Sequence, residues 1–230
     1  MKSEYAKLQD RMRQVCASAG IENYFLDGPV TDAYWSARPR IAVLHLEAYE
    51  YEKCHEVGLN LDLIRGWMQA TGGKIRTKTT RYTSVFVAGL QRSFASNAPV
   101  SPADLKKSYH DFDDLLSAMS KISYLNIRKT SNTVSKLDTQ SINKFSTGEW
   151  LKLLQEQFRI LDPEIIIVGG HDGCSAANRV FVLNGGLKYG GFQTLPNGAE
   201  VLSVKHFSRV SYTSMASVIE GIIKRKRPPC

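Results

Sequence analysis

Two stretches decide the fold: R-I-A-V-L-H-L at Arg40–Leu46 and E-I-I-I-V-G at Glu164–Gly169. Both are nearly continuous runs of aliphatic, largely β-branched residues. A strand that alternates apolar and polar residues buries one face. A strand that is apolar throughout is buried on both, as in a parallel sheet covered by helices. I-S-Y-L-N-I at Ile122–Ile127 and V-L-S-V at Val201–Val204 complete a set of four short runs.

Helical patterns lie between these runs. Leu59–Thr71 follows the first and stops at Gly72-Gly73, a C-cap signal. Pro102-Ala103-Asp104 opens a helix expected to reach about Met119. Ser146-Thr147-Gly148-Glu149 reads as a capping box, with Ser146 as N-cap, for a helix ending at Ile160 before Asp162-Pro163. A last helix is expected over Thr213–Arg225. Strands alternating with helices predict an α/β fold, a three-layer αβα sandwich around a mainly four-stranded parallel sheet. The chain reads as one domain, with residues 1–38 as a helical elaboration on a core of 39–225. Segments 74–101 and 130–146 read as long, polar connections of the kind that carry function.

Composition narrows the class. The 230 residues contain 30 Lys plus Arg and 22 Asp plus Glu, a net charge of +8. An apolar content of 43% and a charged content of 23% describe a globular chain, not a disordered one. No apolar run approaches the roughly 20 residues that span a bilayer. The first residues are charged throughout and read as an amphipathic helix, not a secretory leader. Cys16, Cys54, Cys174 and Cys230 are scattered, without a C-x-x-C pair. Zinc and iron–sulfur sites are therefore not expected, and free thiols in a reducing cytoplasm are. No cofactor or membrane partner is implied.

The charge is unevenly placed. No acidic residue occurs from Leu63 to Ala103, while Arg65, Lys74, Arg76, Lys78, Arg81 and Arg92 all do. Such a stretch suits a phosphate backbone. Lys224, Arg225, Lys226 and Arg227 read instead as a solvated helix end, where cations oppose the helix dipole.

In an open parallel sheet, ligands bind beyond the carboxyl ends of the strands. The first strand leads to Glu47, Tyr49, Glu50, Tyr51 and Glu52. The second ends at Asn126, followed by Arg128 and Lys129. The third leads to Gly170, His171 and Asp172. The fourth leads to Lys205, His206, Ser208 and Arg209. No phosphate-binding G-x-x-x-x-G-K-[ST] loop, dinucleotide fingerprint or G-x-S-x-G elbow is present.

The order and spacing of these segments resemble the uracil-DNA glycosylase superfamily. H-L-E-A-Y at 45–49 falls where that family has Gly-Gln-Asp-Pro-Tyr. Y-L-N-I-R-K at 124–129 is similar to the strand carrying its base-reading asparagine. L-D-P-E-I-I-I-V-G-G at 161–170 resembles its Pro-x-x-Ile strand, and V-K-H-F-S-R-V-S at 204–211 its His-Pro-Ser motif. The resemblance covers about residues 38–225. It implies that Glu47 positions the attacking water, that Tyr49 limits which bases enter, and that Asn126 hydrogen-bonds the flipped base. It further implies that His206 stabilises the departing base, that Ser208 contacts a phosphate, and that Val210 is a wedge into the vacated stack. The implied partner is double-stranded DNA, bound by a monomer.

The chemistry suits those residue types. Cleaving an N-glycosidic bond builds positive charge on the sugar and negative charge on the base. A carboxylate stabilises the first and orients water. An imidazole N–H stabilises the second. An amide reads a base edge with both a donor and an acceptor. Extruding the base costs a few kcal/mol, offset by phosphate contacts from Arg76, Lys78, Arg81, Lys129, Lys205 and Arg209 and by an apolar wedge.

The departures from the family point to another base. Glu replaces a shorter residue at 47, Ala48 and Phe207 replace prolines, and Glu56 falls where an aromatic stacks on uracil. Tyr51 and Tyr82 are the substitutes for that stack. A more polar pocket suits a modified pyrimidine, such as the glucosylated hydroxymethylcytosine of phage DNA. Uracil repair is the alternative. His171 reads either as a pocket wall or as a turn before a helix. Glu50, Glu52 and Glu56 read as a solvated face, or with Glu47 as the metal site of a nuclease. A non-catalytic DNA-binding module is the third reading.

Overall fold

The computed structural model describes residues 1–49, 56–69, 75–132, 147–183 and 186–226. At 47–49, 57, 75–76 and 130–132 it describes the backbone. Helices cover both faces of a mixed sheet. The strands are β1 (Tyr24–Leu26), β2 (Gly28–Pro29), β3 (Ile41–Tyr49), β4 (Glu56–Gly58), β5 (Ile122–Asn132), β6 (Ile165–Gly169), β7 (Phe192–Thr194) and β8 (Glu200–Val204). The helices are α1 (Lys2–Ser18), α2 (Leu61–Gln69), α3 (Ile75–Ser96), α4 (Pro102–Ser108), α5 (Phe112–Ser120), α6 (Gly148–Leu161), α7 (His171–Val180) and α8 (Tyr212–Lys226).

The strand order is β4-β1-β5-β3-β6-β8-β7, with β2 also beside β5. The four runs read from the sequence form its centre, β5-β3-β6-β8, and are mutually parallel. The expectation of a mainly four-stranded parallel sheet needs correction, because among the described residues the sheet has eight strands and is mixed. β1 and β2 pair antiparallel with β5, and β7 pairs antiparallel with β8. The added strands are two or three residues long, too short for any period to show in the sequence.

The side chains of β3 explain the layering. Ile41 and Val43 enter one core with α2, α3, α4, α5 and α8, while Ala42 and Leu44 enter the other with α1, α6 and α7. Residues 1–38 supply α1, β1 and β2 to this arrangement. Tyr5, Leu8, Met12 and Cys16 form the buried stripe of α1, at the i, i+3, i+4 spacing of an amphipathic helix.

Three local readings change. Residues 75–96 are not a polar connection but the long helix α3. Thr80, Thr83, Ser84 and Ser93 are buried on it, so polar residues occupy core positions and hide the helical period. Residues 102–119 are two helices, because Asp111 accepts the Asp114 N–H and starts a second one, while Ser101 and Asp104 form a capping box on the first. α6 has Thr147 as its N-cap, and Ser146 lies outside the described residues.

A buried polar network joins α1, the β1–β2 link, β5 and α6. Lys129 Nζ donates to Asp27 Oδ1 at 2.6 Å and to Gln157 Oε1 at 3.1 Å. Asp27 Oδ2 accepts the Asn126 backbone N–H at 2.5 Å. Gln157 Nε2 donates to Tyr5 Oη at 2.6 Å, and that hydroxyl donates to the Asp27 carbonyl at 2.6 Å. Gly28 is required here, since a Cβ on it would stand 2.0 Å from Tyr5 Oη. Lys129 was expected at a DNA phosphate. Its side chain is instead 3% exposed and paired with Asp27. Lys129→Met leaves a buried carboxylate without its cation, and should cost about 3–5 kcal/mol of stability in equilibrium urea unfolding.

Candidate functional site

The chain enters β3, moves to β5 on one side, and then to β6 on the other. Such a reversal leaves a crevice at the carboxyl ends of the central strands, the usual place for a ligand in an open α/β sheet. Register aligns Asn126 with His45, Leu44 with Val168, and Gly169 with Val204. Asn126, His45, Gly169 and Val204 therefore form one row across the four parallel strands, at the ends of β6 and β8. The strand expected to end at Asn126 instead runs on to Asn132, beside β3 as far as Tyr49.

Two side chains in this row are buried and polar. Asn126 is 2% exposed and His45 is 6% exposed. Asn126 Nδ2 and His45 Nε2 both lack a hydrogen-bond partner. The His45 ring stacks on Tyr124 at 4.4 Å and 17°, and lies 5.5 Å from Phe207. Burial, followed by the nearby His206, pushes the His45 pKa down to about 3. His45 carried no role in the sequence reading. In the sequence it is one polar residue inside the apolar run Arg40–Leu46, and only the register sets it beside Asn126.

His206 follows β8 and caps the short 3-10 turn Phe207–Arg209. Its Nδ1 lies 2.7 Å from Ser208 Oγ and accepts the Ser208 backbone N–H at 3.3 Å. Nδ1 is thus the acceptor nitrogen, and in the neutral ring the proton sits on Nε2. Burial, then Arg209, lowers the His206 pKa and keeps the ring neutral. Arg209, the smaller of these two causes, also favours an anion forming beside the Nε2–H. Gly170, at φ 82°, takes the turn into α7 that most residues resist.

Glu47 lies in β3 two positions beyond His45, in register with Arg128, and a register shift separates it from Tyr49. β3 runs to Tyr49, so the backbone places Glu47 and Tyr49 inside the last part of the strand and not in a segment that follows it. Tyr51, Glu50, Glu52 and Cys54 lie outside the described residues. Glu56 is not beside this row. It sits on β4, takes both Arg13 Nε and Nη2 at 2.9 Å, and accepts from Tyr24 Oη. That engagement opposes its use in a carboxylate metal site.

The remaining expected residues divide. Lys205 and Arg209 are exposed beside His206, where a phosphate could reach them. Lys78 is exposed on α3, its ammonium 5.8 Å from the Tyr82 ring. Arg76 is on the first turn of α3, where the backbone is described. Arg81 is turned inward, donating to the Met68 carbonyl at 2.7 Å and lying 4.7 Å from the Phe112 ring. Val210 is 7% exposed and belongs to the core, so it is not presented as a wedge. Tyr82 packs with Tyr109 and Tyr212 at 5.5 and 5.6 Å. His171 opens α7 with its side chain 81% exposed, the turn-before-a-helix alternative. Arg225 binds Glu200 at 3.0 Å and Lys226 the Gly198 carbonyl at 2.8 Å, so these two residues of the basic C-terminus serve the fold.

No protein-family model matches the chain, and no curated protein matches it. Among the described residues, no helix is long and apolar enough to cross a membrane.

The buried imidazole makes the fold sensitive to acid. Below the ordinary value of 6.5 the unfolded chain protonates His45, whereas the folded chain resists to about 3. The unfolded state binds more protons in that window, so stability falls as pH falls through it, at up to about 1.4 kcal/mol per pH unit. His45→Phe should flatten urea stability between pH 6 and 4 by about that slope.

Proposed function

We propose that this protein is a DNA glycosylase that extrudes a pyrimidine and hydrolyses its glycosidic bond, leaving an abasic site. The observation that carries this reading is the buried row across the parallel strands. Asn126 holds an unpartnered Nδ2 there on β5, and a neutral His206, whose Nε2–H is free of Ser208, follows β8 on the far side of the same row. These groups suit a base edge and a departing base anion.

In this reading the base enters the crevice over β3 and β5. Asn126 Nδ2 donates to an acceptor on its edge. Glu47, at the end of β3, stabilises positive charge on the sugar and orients the attacking water. As the bond lengthens, negative charge grows on the base, and the His206 Nε2–H hydrogen-bonds to it. Ser208 holds the imidazole in the tautomer that can do this. Lys205, Arg209 and Lys78 hold the phosphates.

The base best supported is a polar, modified pyrimidine. Buried unpaired groups on both His45 and Asn126 disfavour a plain apolar rim. Glucosylated hydroxymethylcytosine in phage DNA, and hence a defensive role, is the leading candidate, with uracil repair the alternative.

The test is incubation in EDTA with duplexes carrying uracil, cytosine, hydroxymethylcytosine or glucosylated hydroxymethylcytosine, followed by hot alkali. Alkali-labile sites are expected on one or more of these substrates. Their absence from all, alongside tight salt-sensitive binding, would make this a DNA-binding module instead. Glu47→Ala and His206→Ala should each lower base release by about 100-fold or more while changing DNA affinity little. Lys205→Ala with Arg209→Ala should do the reverse, weakening binding and reducing its salt dependence by about two counterions.

A further inference from the structure

His45 has no part in the steps above. Its surroundings are aromatic, with Tyr124 stacked on one face and Phe207 close by. A phenyl ring would suit that place without burying an unpaired nitrogen. Yet Nε2 is buried and unpartnered, and on the neighbouring strand, in register, so is Nδ2 of Asn126. Burying one such group is costly, and setting two side by side at a ligand-binding end of the sheet calls for a partner from outside.

The covering helix agrees. Thr83 and Thr79 lie about one and two turns before Phe86 on α3, and Phe86 meets Phe207 at 6.1 Å. Both threonine hydroxyls are buried without partners. The hydroxyls of Ser123 and Ser203 are also unpaired, but they alternate with residues of the first core and so belong to the opposite face of the sheet.

We infer that His45 is a specificity-determining residue, whose Nε2 works with Nδ2 of Asn126 to take two polar atoms on one edge of a pyrimidine-sized base. The inference rests on the proposed function for the ligand's being a pyrimidine. The two atoms come from adjacent strands, about 4.8 Å apart at the backbone, so one small ring spans them. A base with polar atoms at both positions satisfies both groups. A base with a methyl group or bare carbon facing His45 leaves Nε2 unpaired and is rejected. The low pKa of His45 keeps the ring neutral across the physiological range, so it reads hydrogen bonds and not charge.

The test uses the full chain with histidine nitrogens labelled. Free uracil, cytosine and hydroxymethylcytosine are titrated in, followed by the same bases in DNA. The His45 Nε2 resonance should move with at least one of them. His45→Phe should melt at the same or a higher temperature than the wild type, yet bind that base at least tenfold more weakly. His45→Gln should recover part of the affinity. A resonance that no base moves would overturn the inference. So would a His45→Phe protein that excises bases with the wild-type order of preference. Base binding at His45 without any excision would instead refute the glycosylase reading and leave this one standing.

Discussion

The burial of β3 on both faces is the constraint from which the rest follows. Ile41, Ala42, Val43 and Leu44 are each 0% exposed, so no backbone group of these four residues can turn to water. β5 and β6 satisfy those groups on its two sides, and helices cover its two faces. Once β3 is central, chain order places β5 on one side and β6 on the other. The crevice then opens at the carboxyl ends, where Asn126, His45 and Gly169 stand level. The site is thus a consequence of how the most apolar strand is satisfied.

Two buried polar groupings meet on β5 and behave in opposite ways. Lys129, Asp27, Gln157 and Tyr5 satisfy one another, and they tie the N-terminal helix to the sheet. Their charges are matched within the protein, so they hold structure. His45 and Asn126 face the other layer and keep nitrogens unmatched. In a low-dielectric interior, a satisfied network rigidifies and an unpaired group is costly. Asn126 belongs to both, since its backbone N–H goes to Asp27 while its Nδ2 has no partner among the described residues. The ion-pair network therefore fixes the strand that presents the candidate base-reading amide.

Much of the fold was legible because burial on two faces leaves a plain signal. The four apolar runs became the four central parallel strands, and α2, α6 and α8 fall within a few residues of their expected bounds. α3 was hidden because buried threonines and serines break the apolar period while still packing. The edge strands were hidden because two or three residues carry no period. Among the site residues, His206 follows β8 as its order in the chain suggested, whereas Asn126 lies inside β5, which runs on to Asn132. Lys129, Arg81 and Val210 do not face outward. A lysine, an arginine or a valine in a sequence carries no mark of which neighbour it meets. Each found a partner far along the chain: Asp27 for Lys129, Phe112 for Arg81, the apolar core for Val210.

The sequence by itself determined the α/β class, the central strands and the order in which polar residues follow them, because hydrophobic period and chain order are local properties. The tertiary structure alone decided that the sheet is mixed, that α1 is tied into it, and that His45 stands beside Asn126. Those facts depend on register and on long-range pairing of buried charges, and neither is encoded in the spacing of residues along the chain.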